Sequence, residues 1–149
     1  MPPKYVLDTN CYIDGDKGTT FKAAFDTFSY AATPFLYLHA TVVAELQMSA
    51  RGAARKRLEN GIIEPFRKRG RVITPSAASW AMMATTLSWL HEHEGLVIKQ
   101  VKRSFIFDIL IAHSCREAGA ILISRNKADL ERIEQVFRFE YASPFPALT

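Results

Sequence analysis

Apolar positions along this chain recur at two different spacings, and each change of spacing marks an element. Four apolar runs have the length of buried strands: Tyr5 to Leu7, Phe35-Leu36-Tyr37-Leu38, Arg71-Val72-Ile73-Thr74 and Ala120-Ile121-Leu122-Ile123-Ser124. Between them the spacing turns helical. After a loop that contains Gly15 and Gly18, Phe21, Ala24, Phe25 and Phe28 share one face of a helix over Thr20 to Tyr30. Thr41 is placed to cap a helix carrying Val42, Val43, Leu46 and Met48. Arg51 to Arg69 reads as two helical pieces broken near Gly61 and Pro65. Thr74 before Pro75 predicts the start of a helix through Trp80, Met83, Leu87 and Leu90. A helix over Ser104 to Glu117 meets Gly119, where a left-handed stop is expected. Leu130, Ile133 and Val136 mark a last helix, and Val136 to Ala142 predicts a final strand before Pro144 and Pro146. Strands alternating with helices predict a single α/β domain, residues 1–149, around a central, mainly parallel sheet.

Composition narrows the class without changing that picture. Apolar residues at 48% and charged residues at 23% suit a soluble globular domain. No run is long and apolar enough to span a membrane, and Met1-Pro2-Pro3-Lys4 leads into a strand rather than a signal peptide. Cys11 and Cys115 are too few and too far apart for a disulfide framework, so a reducing cytoplasm is the expected setting. The net charge of +4 is unevenly spread. Arg51, Arg55, Lys56, Arg57, Arg67, Lys68, Arg69 and Arg71 crowd one stretch, and Lys99, Lys102 and Arg103 form a second group. Such clusters suit a phosphate-rich partner and a solvated helix face equally well, and charge alone does not separate the two.

The candidate chemistry lies in carboxylates at the ends of buried elements. Asp8 closes the first strand, Asp108 stands alone in the apolar run Phe105 to Ile111, and Asp129 follows Ser124-Arg125-Asn126. An unpaired buried charge costs several kcal/mol or more. A divalent metal offsets that cost, and Asp and Glu oxygens are what Mg²⁺ or Mn²⁺ requires. Ligands of open α/β sheets sit beyond the carboxyl ends of the strands, which places Asp8 and Asn126 at one edge. Asp108 falls near the start of its helix, where the dipole favours a carboxylate; taken alone, it could do no more than offset that dipole. Glu45, taken alone, reads as an exposed helical glutamate. His91 and His93, two apart on a helix, point in different directions and make a poor chelate. His39 and His113 lack a Ser or Cys at a spacing that suggests a triad. Trp80 and Trp89 suit a core or a dimer surface.

Taken together, Leu7-Asp8-Thr9-Asn10, Glu45, Asp108 and Ile123-Ser124-Arg125-Asn126 followed by Asp129-Leu130 resemble a PIN domain. More narrowly, the chain is similar to VapC-type toxins of type II toxin–antitoxin pairs, over almost its whole length. The resemblance implies a PIN-like three-layer α/β/α sandwich and a Mg²⁺- or Mn²⁺-dependent endoribonuclease. Its catalytic acids carry over onto Asp8, Glu45 and Asp108. The fourth position lies at Asn126 or Asp129, of which only Asp129 is acidic. Asp8 and Asp108 would bind metal directly, and Glu45 directly or through water. Asn10, Ser124 and Asn126 would orient the carboxylates, while Arg125, Lys102 and Arg103 would hold RNA phosphates. Ser124 stands for the commoner threonine and Leu130 for the commoner phenylalanine. The resemblance also implies a homodimer and a cognate antitoxin, docked on exposed apolar residues of the second and third helices.

Two other readings use the same residues. One is a non-catalytic PIN-fold RNA-binding or scaffold protein. The other is an aspartate-nucleophile phosphatase, for which Asn10 stands where a second acid is needed. No short motif encodes which RNA is cut, which antitoxin binds, or what the Arg51–Arg71 stretch does.

Overall fold

A computed structural model describes residues 3–15 and 20–148, so Gly18 lies outside the described residues. The first strand, β1 (Lys4–Leu7), already shows the architecture. Val6 and Leu7 point to opposite faces of it and both are wholly buried, so the sheet is covered on both sides. The chain continues through α1 (Thr9–Gly15), α2 (Thr20–Ala32), β2 (Leu36–His39), α3 (Ala40–Ser49), α4 (Gly52–Leu58), α5 (Glu64–Lys68) and β3 (Val72–Ile73). It then makes α6 (Ala77–Glu94), α7 (Arg103–Ala118), β4 (Ala120–Ile123), α8 (Lys127–Glu134) and β5 (Tyr141–Ala142). Among the described residues the strands form one parallel sheet in the order β3-β2-β1-β4-β5.

That order positions the site. From β1 the chain moves outward to β2 and β3, then crosses back to place β4 on the other side of β1. The crevice beyond the carboxyl ends of β1 and β4 is therefore a topological switch point, where ligands of open α/β sheets bind. Leu7 pairs with Ile123, and the Asp8 N–H donates to the Ile123 carbonyl at 2.9 Å. The ends of these two strands are thus held level. Helix α7 packs behind them, with every residue from Asp108 to Cys115 buried.

Several local expectations change. The expected loop after β1 is helix α1, which starts directly after Asp8 and buries Cys11 and Tyr12. Helix α3 is capped by His39, not Thr41: the imidazole Nδ1 accepts the Thr41 N–H. Helix α6 starts after Ser76, whose hydroxyl accepts the Ser79 N–H, and not at Pro75. The Gly61 break is a wide turn, Glu59–Ile63, that keeps α4 and α5 in one nearly continuous helical segment. The expected strand over Val136 to Ala142 shrinks to Tyr141–Ala142, because Phe137 and Phe139 turn into the core and Phe137 packs edge-on against His113. Ala24 is exposed rather than on the core face of α2.

The histidines and tryptophans settle into structural places. His91 bonds the Leu96 carbonyl, and His93 stacks on Trp89 with ring centroids 4.1 Å apart. Trp80 is half exposed on α6. His113 meets Ser79 Oγ at 2.9 Å, and Ser79 also donates to Glu117, which ties α6 to α7. No helix among the described residues is long and apolar enough to cross a membrane.

Candidate metal centre

Asp8 is almost fully buried at the tip of β1, and its carboxylate is held from three sides. The Thr9 N–H donates to Oδ1 at 2.7 Å, Ser124 Oγ donates to Oδ2 at 2.8 Å, and Asn10 Nδ2 reaches the same oxygen at 3.3 Å. Asn10 is itself fixed: its Nδ2 donates to Ser124 Oγ, and its Oδ1 accepts the Arg125 N–H. Asn126 enters this network through its backbone N–H, which donates to Ser124 Oγ; its side chain makes no capping bond on α8. The β1 and β4 tips therefore form one hydrogen-bonded platform with Asp8 at its centre.

Asp108 approaches from α7. It is the sixth residue of that helix, beyond the first turn in which the dipole acts, so the expected dipole support does not reach it. Burial dominates instead. It lifts the Asp108 carboxyl to about 9, helped by the charge of Asp8, by a hydrogen bond shared with Asp8, and by the charges of Asp129 and Glu45. Asp8 is raised too, by burial first, with the Ser124 and Thr9 hydrogen bonds pulling the other way. Burial thus makes both carboxyls harder to ionise than free ones.

Glu45 and Asp129 complete the acidic ring at larger separation. Glu45 projects from α3 and accepts a 2.7 Å hydrogen bond from Thr9 Oγ1. Its pKa is raised by burial, with Asp8 adding to the shift and Arg103 opposing it. Asp129 lies in the first turn of α8, near enough for its charge to act on both central acids. Lys102 precedes α7 and Arg103 begins it, and the Arg103 charge acts on Glu45. The Arg125 guanidinium carbon lies 4.6 Å from the centre of the Phe21 ring. Thr9 was legible in the Asp8-Thr9-Asn10 run, yet only the fold brings it to Glu45.

This donor set fits a hard divalent cation. Asp108 Oδ2 is buried with no hydrogen-bond partner among the described residues, the one carboxylate oxygen in that position. No three His, Cys, Asp or Glu side chains among the described residues converge into a ready-made cage. Mg²⁺ needs none, because it keeps several waters and is held by one or two carboxylates together with substrate phosphate. Replacing Asn10 by alanine removes the weaker of two donors to Asp8 Oδ2 and loosens Ser124. We expect Asn10→Ala to weaken Mn²⁺ binding about 10–100-fold, as measured by titration followed by electron paramagnetic resonance.

No family model and no curated protein matches the chain. Solved structures do. FitAcB from Neisseria gonorrhoeae aligns with a TM-score of 0.69 at 20% identity, covering 94% of this chain and 97% of that one. DNA-bound VapBC from Salmonella typhimurium aligns at 0.68 and 18% identity, covering 96% and 99%. VapBC2 from Rickettsia felis, bound to a promoter DNA fragment, aligns at 0.64 and 20% identity, covering 93% and 97%. Matches this complete at such low identity establish architecture: the chain has the PIN-like α/β fold that it shares with chains of the FitAB and VapBC assemblies.

Proposed function

We propose that this protein is a Mg²⁺- or Mn²⁺-dependent endoribonuclease and the toxin of a toxin–antitoxin pair. The observation that carries the reading is the buried Asp8–Asp108 pair, two carboxyls raised first by burial, Asp108 further by the charge of Asp8, with one oxygen left without a partner. Asp8 and Asp108 would hold the ion, with Glu45 and Asp129 at its rim. Bound there, the cation supplies an acidified water as nucleophile and offsets charge that builds on the phosphate. The chain's own residues do the rest. Ser124, Asn10 and Thr9 hold the carboxylates in place, and Lys102, Arg103 and Arg125 would hold phosphates of the RNA backbone.

The alternatives leave features unused. A scaffold leaves the buried acidic pair and the partnerless Asp108 oxygen without a role. A phosphatase needs an acid where Asn10 instead donates to Asp8. The fold shared with chains of two-component assemblies supports an antitoxin partner. A groove between α1–α2 and α3–α4 suits its docking, with Tyr12, Phe25, Leu46 and Ile62 along the floor and Lys22, Arg51 and Arg57 on the rim. Half-exposed Trp80 suits a homodimer contact, and two buried free thiols suit the cytoplasm.

The test is cleavage of total RNA by antitoxin-free protein with Mn²⁺ and with EDTA. Discrete fragments carrying 5′-phosphates, made only with metal, are expected; intact RNA in both would overturn the reading. Lys102→Ala is expected to lower the salt dependence of RNA binding, with the slope of log K against log salt falling by about 0.7 for the lost phosphate contact. Filter binding across a salt series measures this.

A further inference from the structure

His39 ends β2 and is wholly buried, yet nothing in the proposed chemistry uses it. Its ring meets two of the three helices that bring acids to the site, α3 and α7. On one side Nδ1 accepts the Thr41 N–H at 3.2 Å and lies 2.9 Å from Thr41 Oγ1, which caps α3 ahead of Glu45. On the other side Nε2 lies 3.0 Å from Ser114 Oγ, on the same helix as Asp108 and about 9 Å further along it. Because Nδ1 accepts, the ring proton sits on Nε2 and is donated to Ser114, a tautomer assigned from the bonding pattern. Burial keeps the ring neutral, with its pKa lowered to about 4, so both bonds persist at physiological pH without an added charge.

A cap alone does not require this arrangement. Ser, Thr, Asp and Asn cap helices at least as well. The imidazole is long enough to engage a second helix. We propose that His39 is a positioning residue of the metal centre: it ties the start of α3 to α7 and thereby sets the separation of Glu45 and Asp108. The inference rests on the metal reading above. Its physical basis is the narrow tolerance of a ligand set, about 0.5 Å before a site becomes too loose. Glu45 is especially dependent on its helix, because its side chain is anchored within the site by Thr9.

Two variants separate the two ends of the strut. His39→Asn keeps a capping oxygen for the Thr41 N–H but is too short for Ser114. Ser114→Ala keeps the cap and the imidazole but removes their link to α7. Each is measured for Mn²⁺ affinity by electron paramagnetic resonance, with circular dichroism and melting temperature reporting the fold. Each is expected to stay folded and to bind Mn²⁺ about 10–100-fold more weakly. The double variant is expected to lose little beyond the larger single loss, since both changes cut one connection. If either variant does not fold, the other still decides. A folded variant with a lowered melting temperature but wild-type Mn²⁺ affinity would make the strut merely structural and overturn the inference alone. Wild-type protein that binds no Mn²⁺ would overturn the metal reading, and the inference with it.

Discussion

Asp8→Asn and Asp108→Asn proteins are expected to cleave RNA about a thousandfold more slowly than wild type, or worse, while keeping the fold. Asparagine preserves the size of each side chain. At position 8 its one oxygen can still accept from part of the Ser124, Asn10 and Thr9 platform, so the fold survives although the donors to the second oxygen lose their acceptor. What is lost is the negative charge that holds the ion. A catalytic metal contributes several kcal/mol of transition-state stabilisation, and each 1.36 kcal/mol is a factor of about ten in rate. Wild type in EDTA is expected to fall to the same residual level. Single-turnover cleavage of a labelled RNA measures all three rates on one scale. A variant that retains more than about a tenth of wild-type activity would remove its aspartate from the reaction.

The second large effect appears without RNA. In metal-free solution at neutral pH, Asp108→Asn is expected to be more stable than wild type by about 2 kcal/mol, within the range found when buried charges are replaced by neutral groups of similar size. For a chain of this length that is a melting temperature higher by about 4–8 °C. The sign follows from the Asp108 carboxyl, raised in the folded state to about 9 from an ordinary 3.8. Between these values the unfolded chain releases a proton that the folded chain retains. The carboxyl's contribution to stability is therefore fully present below about pH 3.8 and is lost steadily as pH rises towards 9. Asparagine does not titrate, so the advantage of the variant grows from acid to neutral pH. Mn²⁺ reverses the ranking, because it binds folded wild type and raises its melting temperature while leaving the variant unchanged. Melting curves across pH, with and without Mn²⁺, test this. A variant less stable than wild type at pH 7.5 without metal would mean that the pair is structural.

The sequence made part of this site legible for simple reasons. Asp8 stands out because a short apolar run ends there, and Asp108 because one charge interrupts an apolar helix. Asp8 and Ser124 are another matter. Their contact depends on β1 and β4 pairing with Leu7 level with Ile123, a register across more than a hundred residues that no local pattern displays. The dipole argument for Asp108 failed because the helix begins at Arg103 and carries the carboxylate into its second turn. There burial, not the helix end, sets the charge.

Local errors have similar causes. A strand, a polar Asp8-Thr9-Asn10 run and two nearby glycines look like a turn, but burial of Cys11 and Tyr12 stabilises helix α1 there instead. The final strand was overextended because Phe137, Phe139 and Tyr141 alternate with polar residues as a strand does, though only the last pairs with β4. His39 gave the weakest signal of all. Histidine is not among the preferred capping residues, and its second partner lies 75 positions away. A buried, neutral imidazole between two helices becomes visible only once both helices are in place.

The most direct measurement is calorimetric titration of Mn²⁺ into metal-free wild type and Asp108→Asn at pH 7.5, in two buffers of different ionisation enthalpy. A proton retained by the raised Asp108 carboxyl must leave when the ion enters. The account predicts one bound ion and release of about one proton by wild type, and no binding by the variant. Equal binding by the two proteins, or binding by wild type without proton release, would contradict it.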